Sequence, residues 1–253
     1  MSVALKNLTK TYGDFTAVDT VSFTVSDGAL LALVGESGSG KTTTLKMINR
    51  LIEPDAGVIA VDGENVLAQD AVSLRRTIGY VFQGVGLFPH MSVAENIAIT
   101  PRLLGWSEEE IATRIDEMLA LVQLDPAQYR DRAPSELSGG QQQRVGFARA
   151  LAAKPSLMLM DEPFGALDPV TRHGLRAEFQ EIRARLGFTA VLVTHDMAEA
   201  LLMADQVAVM QNGRILQIAS PAEILAHPAD EYVAALVSTP KSEADALEAL
   251  VSA

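Results

Sequence analysis

The chain has 253 residues, a length that suits one large domain or two small ones. Hydrophobic residues make up 48% and charged residues 21%, a balance typical of a globular protein with its own core. The formal net charge of −12 argues against a nucleic-acid partner held mainly by a basic surface, and against adhesion to anionic lipid through a polybasic patch. We interpret the acidity as serving solubility.

Cysteine is absent, which excludes disulfides, thiolate metal sites and cysteine nucleophiles. No apolar run approaches the roughly 18 residues of a membrane span. Residues Met1–Lys6 lack the pattern of a signal peptide. The sequence therefore predicts a soluble cytoplasmic protein, which would act at a membrane by docking on membrane proteins.

The N-terminal residues predict strands separated by turns. Val3–Leu8 alternates loosely and Val18–Val25 alternates clearly between apolar and polar residues, and Ser26–Gly28 is a turn signal. Tyr12 is predicted to lie in a loop. A loop tyrosine can stack on a purine ring, although an isolated one is more often packed or exposed.

The apolar stretch Ala29–Val34 predicts a buried strand, and residues 43–51 predict a helix. Between them lies a match to G-x-x-x-x-G-K-[ST], the phosphate-binding P-loop: Gly35, Glu36, Ser37, Gly38, Ser39, Gly40, Lys41, Thr42 and Thr43. Its glycines allow successive N–H groups to face inward and form an anion nest at a helix N-terminus. Lys41 can reach the β- and γ-phosphates, and the Thr42 hydroxyl can ligate Mg²⁺. The alternative is a glycine-rich turn with an incidental lysine.

The next segments predict strands, the last of which ends in a polar residue, and then a helical region. Val58–Val61 predicts a short strand, and a further apolar strand ends at Gln83, where open α/β folds usually hold ligand-facing groups. Residues 84–155 are predicted to form an inserted helical subdomain with helices at Val93–Ile99, Glu108–Leu121 and Gln141–Ala152. Its apolar loop at Leu87, Phe88 and Pro89 is either core or a contact surface for a partner.

Two later strands also end in polar residues. Leu157–Met160 leads into Asp161 and Glu162, and a further buried strand leads into His195. Asp161 suits Mg²⁺, and Glu162 can polarise or deprotonate an attacking water. The carboxylates could instead mark a solvated strand end. His195 could be structural, or it could bond the γ-phosphate and the water.

The C-terminal third predicts a helix over Thr171–Leu186, then a hairpin. The hairpin strands are Gln206–Met210 and Arg214–Gln217, joined by an Asn-Gly turn. Beyond Pro221 the chain is predicted to be helical or loose, with a weak amphipathic segment over Glu243–Val251.

Ser138 precedes two glycines and then a helix, which predicts a second anion-binding helix N-terminus. A monomer that binds one nucleotide does not need two such cradles. A head-to-tail dimer explains both, because each chain then lends its cradle to the ATP of the other.

Together these stretches resemble the ATP-binding cassette of ABC transporters over about residues 3–235. The motifs occur in the family's order: the aromatic Tyr12, the Walker A loop 35–43, the Q-loop Gln83, the signature Leu137–Gln141, Walker B Leu157–Glu162, the D-loop Gly165–Asp168 and the switch histidine His195. The resemblance implies an α/β P-loop NTPase fold with an inserted helical subdomain and a small antiparallel β subdomain. It implies a domain over residues 1–237 and a short acidic tail over 238–253.

The resemblance also implies cofactors, partners and roles. ATP and Mg²⁺ would be bound, with Glu162, His195 and Lys41 catalytic and with Thr42, Gln83 and Asp161 near the metal. Residues near the nucleotide would be Tyr12, Gly35, Glu36, Ser37, Gly38, Ser39, Gly40, Lys41, Thr42, Thr43, Gln83, Ser138, Gly140 and Asp168. The implied partners are a second ATPase subunit, transmembrane permease subunits that dock on the loop after Gln83 and, indirectly, an extracytoplasmic solute-binding protein. No nucleic acid is expected, and the location would be the cytoplasmic face of the inner membrane.

Four further stretches resemble importers of quaternary amines such as glycine betaine, choline and carnitine: Lys46–Pro54, Ile78–Gln83, Gly86–Met91 and Leu103–Trp106. Many of those ATPases carry C-terminal nucleotide-sensing modules, and the short acidic tail puts such regulation in doubt. The alternatives are an importer of another small solute such as an amino acid or sulfate, a DNA-maintenance ATPase, and a non-hydrolysing ATP switch.

Overall fold

The computed structural model describes residues 2–84, 86–238 and 242. The strands are β1 (Val3–Tyr12), β2 (Phe15–Val25), β3 (Leu30–Val34), β4 (Ala56–Val61), β5 (Glu64–Asn65), β6 (Ile78–Val81), β7 (Leu157–Asp161), β8 (Thr189–Thr194), β9 (Gln206–Gln211) and β10 (Arg214–Ala219). The α-helices are α1 (Lys41–Ile48), α2 (Ala71–Thr77), α3 (Val93–Leu103), α4 (Glu108–Leu121), α5 (Pro126–Tyr129), α6 (Gly139–Leu151), α7 (Pro169–Leu186), α8 (Met197–Met203) and α9 (Pro221–Ala226).

A six-stranded sheet in the order β10-β9-β3-β8-β7-β6 forms the centre of the molecule. Its strands are parallel from β9 to β6, and β10 pairs antiparallel with β9. Side chains of β3 alternate between two cores, since Leu30 and Ala32 belong to one hydrophobic cluster and Leu31 and Leu33 to the other. Both faces of the sheet are therefore covered, which explains why its strands are continuous apolar runs.

The two faces are covered by different layers. One core joins the sheet to α1 and to an antiparallel sheet in the order β2-β1-β4-β5. The other core joins it to the helices that follow β6. These layers confirm the predicted α/β fold with an added antiparallel sheet.

Tyr12 was predicted to lie in a loop, and this prediction is wrong. It ends β1 and is the register partner of Phe15 in β2, so the connection is limited to residues 13–14. Gly13 has a φ of 58°, which permits this tight reversal.

The chain between β6 and β7 is helical throughout its regular elements, α3 to α6. Helix α3 runs past the predicted end at Ile99 to Leu103 and includes Pro101. Helix α6 begins at Gly139, two residues before the predicted start, because the Ser138 side chain caps it. The subdomain limits at 84 and 155 and the domain limit at 237 remain proposals.

The predicted hairpin is confirmed, with β10 extending to Ala219 and with Asn212 and Gly213 both at positive φ, as a tight turn requires. Residues 231–238 are helical. The predicted segment Glu243–Val251 lies outside the described residues. Across the parts of the chain that the structure describes, none of the helices combines the length and the hydropathy needed to cross a bilayer.

Candidate nucleotide-binding site

Polar residues gather where four parallel strands end. Strands β6, β7, β8 and β3 lie side by side, and their carboxyl ends lead to Gln83, to Asp161 and Glu162, to His195 and to Gly35. Because parallel strands end at one edge of a sheet, residues far apart in the sequence meet there. The topology therefore brings the strand-end residues to the same edge of the sheet.

Lys41 is held inside the P-loop. Its Nζ donates hydrogen bonds to the carbonyl oxygens of Gly35 and Glu36, both at 2.7 Å, and to Ser39 Oγ at 3.3 Å. Burial lowers the pKa of the Lys41 ammonium, although negative charges nearby, first that of Glu162, act in the opposite direction. The ammonium is therefore poorly solvated and is held by oxygen atoms of its own loop.

Two P-loop positions require glycine, because backbone atoms of other elements approach them too closely for a Cβ. A Cβ added to Gly35 would overlap the carbonyl oxygen of Met210, and one added to Gly40 would overlap that of Ala17. Gly40 has a φ of 101° and is the N-cap of α1, so the first amides of that helix open onto the loop. The loop thus has the backbone expected of an anion nest at a helix N-terminus.

Thr42 and Asp161 form the second part of the site. Thr42 Oγ1 donates a 2.8 Å hydrogen bond to Asp161 Oδ1. Asp161 is 4% exposed, and burial raises the pKa of its carboxyl despite that hydrogen bond. A hydroxyl, a carboxylate and the amide oxygen of Gln83 are hard oxygen donors, and this donor set fits Mg²⁺.

Two other predicted residues, Gln83 and His195, contact the Glu162 carboxylate. Gln83 Nε2 donates to Glu162 Oε2 at 3.1 Å, and His195 Nδ1 lies 3.3 Å from the same oxygen. The Glu162 backbone N–H donates to Val193 O at 2.9 Å, at a positive φ of 45°. This backbone conformation is uncommon outside glycine and is a candidate for functional strain.

Phe164 anchors the segment after Glu162, and sequence reasoning missed it. The ring is fully buried, with its centroid 5.7 Å from that of Phe147 in α6 and 6.3 Å from that of Phe179 in α7. Apolar anchoring on both sides restricts the turn that presents Glu162. An apolar residue directly after Pro163 was the available sequence signal.

A cavity of about 300 Å³ connects these groups. It is lined by Tyr12, Phe15, Ala17, Ser37, Gly38, Gly40, Lys41, Thr42, Thr43, Gln83 and Glu162. Phe15 is 60% exposed and was not among the predicted residues. Tyr12 and Phe15 are cross-strand neighbours and both line this cavity, so either ring is a candidate for stacking on a base.

We expect Tyr12→Ala to weaken ATP binding by about tenfold to a hundredfold, because base–aromatic stacking contributes about 1–3 kcal/mol. Tyr12→Phe keeps the ring and should bind ATP within about twofold of the parent. Phe15→Ala is the matched comparison on the paired strand. Binding of a fluorescent ATP analogue measures all three; a loss confined to Phe15→Ala would transfer the stacking role to Phe15.

Ser138, Gly140 and Asp168 are among the predicted residues that lie outside the cavity lining of their own chain. Ser138 caps α6, accepting from the Gln141 N–H at 3.3 Å, and Asp168 caps α7, accepting from the Thr171 N–H at 3.1 Å. Gly140 faces Thr171, whose methyl group a Cβ at that position would overlap. The chain therefore does not bring this second cradle to its own P-loop.

A separate groove of about 430 Å³ opens beside Gln83. Its apolar lining includes Phe82 and Phe88, both more than 40% exposed, and the buried Arg149 also lines it. The Arg149 guanidinium lies 5.8 Å and 5.9 Å from the centres of those rings. Leu87 packs against the core instead. Of the two alternatives for this loop, core therefore fits Leu87 and contact surface fits Phe88.

The parallel sheet, the nest after β3 and the carboxylates after β7 define a P-loop nucleotide-binding domain. The family model described as "ABC transporter" matches residues 18–165. The chain belongs to the ABC transporter family.

Characterised relatives are similar over most of this chain. The choline transport ATP-binding protein of Bacillus subtilis (strain 168) is 53% identical over 91% of this chain and 61% of its own length. The glycine betaine uptake system ATP-binding protein of Escherichia coli (strain K12) is 49% identical over 91% of this chain and 75% of its own. A sulfate/thiosulfate import ATP-binding protein of Rhodopseudomonas palustris is 46% identical over 92% of this chain and 67% of its own length. The chain spans about three-fifths of the length of the first of these relatives.

Solved structures share the fold. A dimeric, post-hydrolysis structure of the ATP-binding cassette MJ0796 bound to ADP and phosphate superposes with a TM-score of 0.78 at 33% identity, covering 87% of this chain and 98% of that one. The structure of cbiO1 from Clostridium perfringens, part of the ABC transporter complex cbiONQ, gives a TM-score of 0.81 at 28% identity, covering 90% of this chain and 91% of that one.

Proposed function

We propose that this protein is the ATP-hydrolysing subunit of an ABC importer for a small solute, with quaternary amines as the solute class. The observation that carries the hydrolytic part is the convergence of Gln83 and His195 on one oxygen of Glu162, beside the P-loop cavity. A phosphate-binding switch without hydrolysis would not need a carboxylate aligned in this way.

The residues suggest a division of labour in phosphoryl transfer. The P-loop amides and Lys41 bind the phosphates and neutralise their charge. Bound Mg²⁺ would supply further charge neutralisation on the phosphate oxygens, with Thr42, Asp161 and Gln83 as its protein neighbours. Glu162 accepts the proton of the attacking water, and His195 orients that carboxylate from a side chain that is 60% exposed.

The position of Ser138 supports a head-to-tail dimer. Ser138 caps its helix and does not line the P-loop cavity of the same chain, so a second copy is needed to complete an ATP site with it. The dimeric MJ0796 cassette with ADP and phosphate is the structural precedent. Ser138 and Gly140 would then meet the nucleotide of the partner, with Asp168 near the interface.

The groove beside Gln83 supports docking of permease subunits. Exposed Phe82 and Phe88 offer apolar contact on either side, in the sequence, of Gln83, the residue that reaches Glu162. Motion of a docked permease segment would therefore reach the hydrolytic site through Gln83. We therefore infer that the protein is a peripheral subunit at the cytoplasmic face of the membrane, with a solute-binding protein acting indirectly and no nucleic acid.

The solute class is supported by the stretches that resemble quaternary amine importers and by the similarity to proteins named for choline and glycine betaine transport. A sulfate importer is the second candidate, because its ATPase is 46% identical to this chain. A DNA-maintenance ATPase is less well supported, since the longest helix among the described residues is the 18-residue α7 and no long coiled-coil insertion lies within them.

The test is ATP hydrolysis by the chain co-purified with its membrane partner and a matching solute-binding protein. We expect stimulation by glycine betaine, choline or carnitine, and none after Mg²⁺ is removed with EDTA. Stimulation by sulfate or an amino acid instead would retain the ATPase and reject the solute class. DNA-stimulated hydrolysis without a membrane partner would reject the importer.

A further inference from the structure

A polar network lies behind His195 and holds the residues on either side of it. We call it the Arg176 network; its members are Thr194, Arg176, Asp196 and Glu199. Thr194 Oγ1 donates a 2.7 Å hydrogen bond to Glu199 Oε2, and the Asp196 N–H donates to Thr194 Oγ1 at 3.0 Å. Both neighbours of His195 are thereby fixed to the start of α8.

The network also ties this turn to α7. Arg176 donates to Asp196 Oδ2 at 2.9 Å, and its guanidinium lies 3.4 Å from Glu199 Oε2. One turn earlier, Arg172 donates to the carbonyl oxygen of Leu167 at 2.9 Å and approaches Asp196 at 3.9 Å. The segment before α7, which begins just after Glu162, is thus linked to the turn that carries His195.

Stability alone does not account for a carboxylate at this position. Glu199 is 4% exposed on a helix whose other buried residues are Met197, Ala200 and Met203. Burial raises the pKa of its carboxyl despite the Thr194 hydrogen bond, and its Oε1 has no hydrogen-bond partner among the described residues. Since an apolar side chain would avoid this desolvation, a buried charged pair is weak evidence for a stabilising role.

We propose that Glu199 and Arg176 are positioning residues for His195, fixing the turn 194–196 so that the imidazole stays in contact with Glu162. The inference rests on the proposed hydrolytic function, because it gives His195 its role there. Neither residue lines the nucleotide cavity. Their loss should therefore affect the hydrolytic step and leave ATP affinity unchanged.

Turnover tests the inference through a double-mutant cycle. We expect Glu199→Ala to lower kcat at least tenfold while KM for ATP changes less than about twofold. Glu199→Gln keeps an acceptor for the Thr194 hydroxyl and should recover most of the rate. In a His195→Ala background Glu199→Ala should have little further effect, because both changes remove the same positioning. The inference would be overturned if the two substitutions lowered kcat by independent factors that multiply in the double variant. A rise in KM alone in Glu199→Ala would also overturn it.

The imidazole of His195 provides a readout that does not require hydrolysis. The chain has four histidines, so the His195 ring signals can be assigned by NMR from the His195→Ala spectrum. If Glu199→Ala does not fold, Arg176→Met and Glu199→Gln still test the inference. The control is Gln180→Ala, which removes another α7–α8 hydrogen bond, from Gln180 Nε2 to Leu202 O at 2.8 Å.

We expect the His195 ring signals to shift in Arg176→Met and to stay unchanged in Gln180→Ala. Unshifted signals in Arg176→Met would overturn the inference. A parent protein that does not hydrolyse ATP would overturn the proposed function, while the NMR result would still decide the positioning of His195.

Discussion

Glu162→Gln is expected to lower the rate of ATP hydrolysis by about 10²- to 10⁴-fold, the usual contribution of a general base. Glutamine keeps the size of the side chain and an oxygen for Gln83 and His195, so the contacts at 3.1 Å and 3.3 Å can persist in altered form. It cannot accept a proton from water. ATP binding should stay within about twofold of the parent, because Glu162 contributes little to the phosphate cradle.

The same variant should accumulate as a closed dimer when ATP is present. ATP binding closes the proposed dimer, and without ATP hydrolysis the closed dimer does not reopen. Size-exclusion chromatography with and without ATP measures this, and Glu64→Gln on the exposed strand β5 is the matched control. Hydrolysis at the native rate by Glu162→Gln would disprove the assignment of the base.

Lys41→Met is expected to weaken ATP binding by about 10²- to 10⁴-fold. The side chain keeps its length but loses a buried cation that donates to Gly35 O, Glu36 O and Ser39 Oγ. Two charge-assisted hydrogen bonds to phosphates at about 1.5–3 kcal/mol each account for this range. The protein should also be less stable by about 1–3 kcal/mol, because the loop carbonyls lose a donor.

The control for Lys41→Met is Lys46→Met, the same change of charge five residues along helix α1 and outside the cavity lining. Isothermal titration calorimetry with ATP compares the two, and thermal unfolding separates binding from stability. Equal affinities for Lys41→Met and Lys46→Met would show that the total charge of the helix, and not the loop lysine, binds the phosphates.

Most of the candidate site could be predicted from the sequence because each part is local. The P-loop is one contiguous stretch, and Gln83, Glu162 and His195 each follow an apolar strand. In a parallel sheet the carboxyl ends of such strands lie at one edge, so local patterns are enough to place these groups together. The fold class follows from the same patterns.

Other elements of the site depend on partners that no local pattern reveals. The assignment of Tyr12 to a loop failed because strand pairing with Phe15 overrode the local glycine and aspartate signal. For the same reason Phe15 was missed as a cavity residue. The anchoring of Phe164 between Phe147 and Phe179 likewise depends on packing between separate elements.

The amino-acid sequence by itself determined which groups can bind phosphate, hold a metal and accept a proton, because glycine, lysine, threonine and carboxylates carry that chemistry wherever they lie. Only the tertiary structure decided which atoms meet: that Glu162 Oε2 receives both Gln83 and His195, and that Arg176 of α7 reaches Asp196 and Glu199. Contacts between residues 20 or more positions apart depend on the packing of helices against the sheet, which periodicity does not specify.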